Sequence, residues 1–296
     1  MKSKLIPLLC ITLHLCAQGA WAQVPDGSDM HLPRTPFRLQ SRAEVQLPPA
    51  VDNSTRKFFP PILDQMGGSC AQASGIGYMF TYEINRLLDR DAHASADHRF
   101  SYQFSWNLLN DGQDQGDFVD QGLYLSERYG IMTEQDYGIS GTYQFKWATG
   151  YDKYYKALQY RTQEVLTFAD SIPLMKRWLY DAGDGSAVGG VLTFSAMSRG
   201  WEIDDDYQGP SLTGYRSLLK GLATDGAHAL TIAGYDDTVV YTDAQGTPHT
   251  GAFIVVNSWG THSHDHGRFY LPYDFFRDAR VPEQQLGSTV EAIRVR

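Results

Sequence analysis

Cys70, in the stretch LDQMGGSCAQASGIGYMFTYEINRLL (63–88), is the residue with the clearest chemical potential. The chain holds three cysteines, and Cys10 and Cys16 lie in an apolar N-terminal run. If that run is removed as a leader, Cys70 has no cysteine left to pair with. Exported proteins usually pair their cysteines, so a lone thiol is either a small buried hydrophobe or a nucleophile. Ser69 and Gln72 stand at capping-box spacing, which makes Cys70 the first residue of a helix. Unpaired N–H groups and the positive end of the helix dipole gather there and lower a thiol's pKa. Gly67 and Gly68 permit unusual backbone angles and close approach of another chain segment. Ile76, Met79, Phe80, Ile84, Leu87 and Leu88 recur at three- and four-residue steps, as the apolar face of a helix does.

A nucleophilic thiol needs a base and a group that orients it. His228 opens HALTIAGY, an alternating strand pattern, and a second strand, GAFIVVNSWG, ends near Asn257. The intervening DDTVVYTDAQGTPHT has its turn residues at 242–246. Antiparallel pairing of the two strands places His228 beside Asn257, whose side-chain oxygen could accept the imidazole N–H and fix its tautomer. His31, His93, His98 and His249 lie in polar stretches without such support. His262, His264 and His266 share HSHDH with Asp265. That set could ligate a metal, but it reads as a polar surface loop, and no metal site or cofactor is expected. Asp204–Asp206 reads as a solvated acidic loop, since it lacks an EF-hand ligand pattern. The aromatics between Tyr151 and Tyr160 read as core and interface. Asn53-Ser54-Thr55 is a glycosylation sequon.

The elements that must position these residues follow a leader. Lys2 and Lys4, an apolar run from Leu5 to Cys16 and Ala20-Trp21-Ala22 describe a signal peptide over 1–22. The run is too short to span a bilayer, so no membrane insertion is expected after its removal, and the chain is expected to be secreted or periplasmic. Residues 23–46, polar and proline-bearing, form a flexible arm or short pro-segment, and one domain occupies 47–296. The formal net charge is −9 and the leader carries two lysines but no acid. So acidic a mature protein is not expected to bind nucleic acid by charge. Oligomeric state is not legible.

Four segments resemble the papain family of cysteine peptidases: LPPAVDNS (47–54), DQMGGSC with the helix after it, GAHALTIAGYDD, and NSWGTHSHDHGRFYLP. Weaker echoes are FSYQFSWNLLND, SERYGIMTEQDYG and VGGVLTFSA. The resemblance runs from about Leu47 to the C-terminus and implies an α+β, papain-like two-lobed fold. A helical lobe over about 62–150 would carry the nucleophile. An antiparallel, β-barrel-like lobe over about 185–296 would carry the histidine and asparagine.

By the same resemblance Cys70 is the nucleophile, His228 the base and then the acid, and Asn257 the group that orients His228. Gln65 donates to the oxyanion with the Cys70 N–H, and Trp259 covers the His228–Asn257 hydrogen bond in the substrate cleft. The substrate would be an extended peptide or protein. Ala71 departs from the family's aromatic after the cysteine. Gln65 stands one residue closer to the cysteine than usual, and the long spacing to His228 and Asn257 implies insertions. Aligning on an upstream cysteine would put Ala73 at the catalytic position, but Cys70 holds the helix start. The alternatives are a peptidoglycan amidase-type thiol hydrolase, a catalytically silent binding module on a peptidase fold, and a transglutaminase-like acyl transferase.

Overall fold

The computed structural model describes residues 30, 32–39, 45–138, 146–169, 171–242, 246–280 and 290–296; the expected leader lies outside them. Among these residues ten strands form one sheet in the order β1-β3-β10-β4-β7-β8-β9-β6-β5, with β2 paired to β7. They are β1 Arg34–Pro36, β2 Ala50–Asp52, β3 Thr162–Phe168, β4 Leu192–Arg199, β5 Glu202–Asp204, β6 Leu218–Gly221, β7 Asp225–Thr242, β8 Pro248–Val256, β9 Arg268–Pro272 and β10 Val290–Val295. Pairing is antiparallel except for β1 on β3 and β6 on β9.

One continuous helix, α1, occupies residues 70–88. It is α-helical over Cys70–Gln72, widens to a π-helix over Ala73–Phe80 and returns to α-helix over Thr81–Leu88. The helices α2 (Tyr102–Leu109) and α3 (Val119–Tyr129) pack on its π-helical part. Two glycines let neighbours approach there: a Cβ on Gly75 would meet Val119 of α3 at 2.9 Å, and one on Gly77 would meet Leu63 at 2.5 Å. The mixture is thus α+β, with α1–α3 on one side and the sheet on the other.

α1 does not keep the single apolar stripe expected from its spacing. Every residue from Ala71 to Asn85 is buried, while Leu87 and Leu88 are 56% and 47% exposed. The cause is position: α1 lies inside a core that the helices and the sheet share. Ile76, Met79, Phe80 and Ile84 pack with Phe100, Phe104 and Leu123 on one side and with Val191, Ala233 and Val256 of the sheet region on the other. A helix covered all round loses the polar face that would make its stripe diagnostic. Ser74 adds a polar tie, its hydroxyl lying 2.6 Å from Thr193 Oγ1 and 2.9 Å from Thr231 Oγ1.

The sheet has its own core, in which Leu192, Phe194, Leu230, Ile232, Phe253 and Val255 pack with Trp178 of the helix Ile172–Asp181. The N-terminal segment, expected as a loose arm, is joined to this sheet at β1. Arg34 donates to Glu291 on β10 at 2.6 Å and to Asp120 on α3 at 3.1 Å. The sequon asparagine is closed off, because the Asn53 amide is fully buried and donates to Leu179 O and Gly190 O, both at 2.8 Å. Among the described residues no helix is long and apolar enough to cross a membrane.

Candidate active site

Cys70 opens α1, as the sequence indicates, but not through a capping box. The Ser69 side chain makes no cap bond, and its hydroxyl is buried without a partner among the described residues. Gln72 turns away instead and donates to Asp117 Oδ1 and Phe118 O, each at 3.1 Å. Gly122 of α3 leaves the room for that amide, since a Cβ there would overlap it. Gly67, at φ +52°, makes the turn before the cysteine, and a Cβ on Gly68 would stand 2.7 Å from the backbone of Gln115 and Gly116. Both glycines are therefore required by the backbone.

The expected fall in the thiol pKa is reversed. Burial pushes the Cys70 thiol up, and the nearby Asp117 carboxylate adds to the rise. Backbone N–H groups of Ala229, Ala71 and Cys70 itself pull the other way without overcoming desolvation. Asp117 is in turn pushed up to about 7 by its own burial, and its Oδ2 is buried without a partner among the described residues. Nothing in the local sequence signals that this carboxyl folds back against the helix start.

The Ala229 contact shows how the sheet meets α1, since Ala229 follows His228 on β7. β7 and β8 form the expected hairpin, with Thr242 opposite Pro248 and Thr231 opposite Val256. Register shifts between Ile232 and Gly234 and between Asp236 and Val240 leave the strand ends offset. The offset still brings His228 Nε2 to 2.8 Å from Asn257 Oδ1. Asn257 is fully buried and His228 nearly so. Burial pushes the imidazole down to about 4, with the Asn257 hydrogen bond acting in the opposite sense. Trp259 stacks on the ring at 4.7 Å and 24°.

Gln65 is brought in by a short ladder between the loop before α1 and the segment after β8. Gln65 N donates to Ser258 O at 2.7 Å, Gly260 N donates to Leu63 O at 2.9 Å, and Asp64 pairs with Trp259. The side chain is held at both ends: Ser258 Oγ donates to Gln65 Oε1 at 2.5 Å, and Gln65 Nε2 donates to Gly67 O at 2.9 Å. The second Nε2 hydrogen is the one left to point elsewhere. Tyr78 of α1 ties the same pieces from below, accepting from Leu63 N at 2.8 Å and donating to Asn257 O at 2.9 Å.

HSHDH is not uniformly the polar surface loop expected. His266 is exposed, but His264 turns inward, and its Nε2 lies 3.1 Å from Asn257 Nδ2. Among the described residues no group of three His, Cys, Asp or Glu side chains is placed to hold a metal. The site residues missed by sequence reasoning are thus Ser258, Tyr78, Asp117 and His264. Ser258 and His264 lie inside segments quoted for the resemblance, whereas Tyr78 and Asp117 carry no local signal of their position.

No protein-family model matches the chain, and no curated protein matches it in sequence. Solved structures do resemble it. Xylellain, a cysteine protease from Xylella fastidiosa, is 20% identical with a TM-score of 0.57, over 84% of this chain and 87% of that one. Procathepsin B S9 from Trypanosoma congolense is 16% identical with a TM-score of 0.58, over 88% and 82%. The Amb a 11 cysteine protease of ragweed pollen, in its proform, is 14% identical with a TM-score of 0.54, over 84% and 66%. A thiol at the head of a helix between helical and sheet layers, with a histidine and an asparagine on a facing hairpin, is in this chain built on the papain-like fold.

Proposed function

We propose that the chain is an exported cysteine-type peptidase, freed of residues 1–22, that hydrolyses peptide bonds with Cys70, His228, Asn257 and Gln65. The observation that carries this reading is the 2.8 Å bond from His228 Nε2 to Asn257 Oδ1, made from β7, the strand that packs against the Cys70 end of α1. With Nε2 committed to Asn257, Nδ1 is the nitrogen left to take the thiol proton. Burial disfavours an isolated thiolate and an isolated imidazolium alike. Transfer within the pair creates both charges together, so each offsets the other's cost.

The Cys70 sulfur attacks the amide carbonyl. Negative charge then develops on the carbonyl oxygen, where the Cys70 N–H and the second Gln65 Nε2 hydrogen donate to it. His228 returns its proton to the leaving amine as the C–N bond breaks, giving a thioester; it then accepts a proton from the attacking water, the C–S bond breaks to release the acid, and the proton returns to the Cys70 sulfur. Trp259 shields the His228–Asn257 bond from water and keeps it strong in a low-dielectric setting.

The test is incubation of the purified mature chain with a peptide library, with and without an epoxide thiol inhibitor. Cleavage should be abolished by the inhibitor and by Cys70→Ala, and should fall about 10²- to 10⁴-fold in His228→Ala. Turnover of peptidoglycan but not peptides would replace this reading with the amidase one. Amine incorporation would replace it with acyl transfer, and no labelling of Cys70 would leave a binding module.

A further inference from the structure

We propose that His264 is a positioning residue for this reaction, a neutral acceptor that holds the Asn257 amide in the one orientation that serves His228. The inference rests on the peptidase reading above. Asn257 has two chemically different ends, and both are occupied. Its Oδ1 accepts from His228 Nε2 at 2.8 Å and from Ser258 N at 2.7 Å, while its Nδ2 faces His264 Nε2 at 3.1 Å. An amide nitrogen can only donate, so His264 Nε2 must carry a lone pair and its proton must sit on Nδ1. Were Asn257 flipped, two N–H groups would face each other at both His228 and Ser258.

The surroundings of His264 favour that tautomer. The Asp205 carboxylate lies 3.9 Å from Nδ1 and is itself held by the Ser217 hydroxyl at 2.6 Å. The rings of Phe269 and Trp259 lie at 5.0 and 6.1 Å. The other titratable groups around it are His228, across Asn257, and its loop neighbours Asp265 and His266, with Asp265 accepting from Arg216 N at 2.8 Å. Burial also holds the His264 imidazole below its ordinary range, which preserves the acceptor at neutral pH. The residue adopts φ +52° to reach this place, a conformation uncommon for anything but glycine and worth an explanation where it occurs. The hydrogen-bonded series His264, Asn257, His228 ends at the base, with the Asp205 carboxylate facing its outer end at 3.9 Å.

The experiment compares wild type, His264→Leu and His264→Gln by steady-state peptide cleavage and by iodoacetamide alkylation of Cys70 across pH. His264→Leu should lose about three- to tenfold in kcat with KM unchanged, the worth of one neutral hydrogen bond. Its acid limb should move to lower pH, because a loosened Asn257 no longer stabilises the imidazolium. His264→Gln, which offers a carbonyl acceptor, should recover both. Wild-type rates and an unmoved pH profile in His264→Leu would overturn the proposal while leaving the peptidase reading intact. Independently of any variant, ¹⁵N ring shifts of the wild-type protein at neutral pH should show His264 Nε2 without a proton, and a protonated Nε2 overturns it equally. Absence of peptide cleavage together with absence of His228-dependent alkylation in wild type would remove the peptidase reading, and this proposal with it.

Discussion

At the scale of single residues, two side chains carry tests that burial and hydrogen bonding define. Gln65 is held by Ser258 Oγ and Gly67 O, so the proposed oxyanion donor is preorganised. Gln65→Ala should lower kcat by about 10²- to 10³-fold with little change in KM, because the bond strengthens only as charge develops. His228 titrates near 4 in the fold and 6.5 ordinarily. The fold therefore excludes a proton that the unfolded chain binds. Stability should fall as pH drops from 6.5 and level off below about 4, by about 3 kcal/mol from this group. Asp117, at about 7 against an ordinary 3.8, has the opposite sign: its contribution is lost as pH rises through that window. Thermal melts from pH 4 to 8 should show His228→Gln less sensitive to acid and Asp117→Asn gaining most at pH 8. A wild-type slope in both variants would contradict these assignments.

At the scale of elements, the site depends on three segments meeting: the loop before α1, α1 itself and the end of β8. Tyr78 is the group that touches all three, through Leu63 N and Asn257 O. Its ring is fully buried and stacks on Phe59 at 5.1 Å. Tyr78→Phe keeps the packing and strands a donor and an acceptor, which costs about 1–3 kcal/mol for groups left unpaired in the interior. The expected result is a lower denaturant midpoint with unchanged m-value. Turnover should fall as well, since Asn257 loses its anchor, and an unchanged midpoint would show that water takes the place of the hydroxyl.

At the scale of the whole molecule, the helical and sheet layers are held together by α1 and by a clamp at the start of the described chain. Arg34 on β1 sits between Asp120 of α3 and Glu291 of β10, two carboxylates that are 9% and 3% exposed. The guanidinium is 30% exposed, between the limits of a surface pair, worth up to about 1 kcal/mol, and a buried one whose breaking costs about 3 kcal/mol or more. Arg34→Met should therefore lower stability by about 1–3 kcal/mol. Hydrogen exchange should report the loss along β3 and β10 before it reaches α1. Uniform loosening of both layers would argue against a local clamp.

The sequence alone determined the chemistry-bearing positions that regular structure makes legible. Cys70 could be placed at a helix start because glycines and a polar turn precede an apolar periodicity. His228 and Asn257 could be paired because two alternating strands flank one turn, and hairpin geometry is local. What the tertiary structure alone decided concerns groups whose surroundings come from distant segments. Gln72 leaves its capping role because a loop 45 residues away offers a carboxylate. The Cys70 thiol is pushed up, not down, because packing desolvates the helix start and the Asp117 carboxyl folds back beside it. His264 reaches Asn257 because a loop that reads as polar surface folds under Trp259. Spacing along a chain encodes period and turn, whereas desolvation and the partner of a buried polar group depend on which elements pack together, and that is set only once the layers have closed.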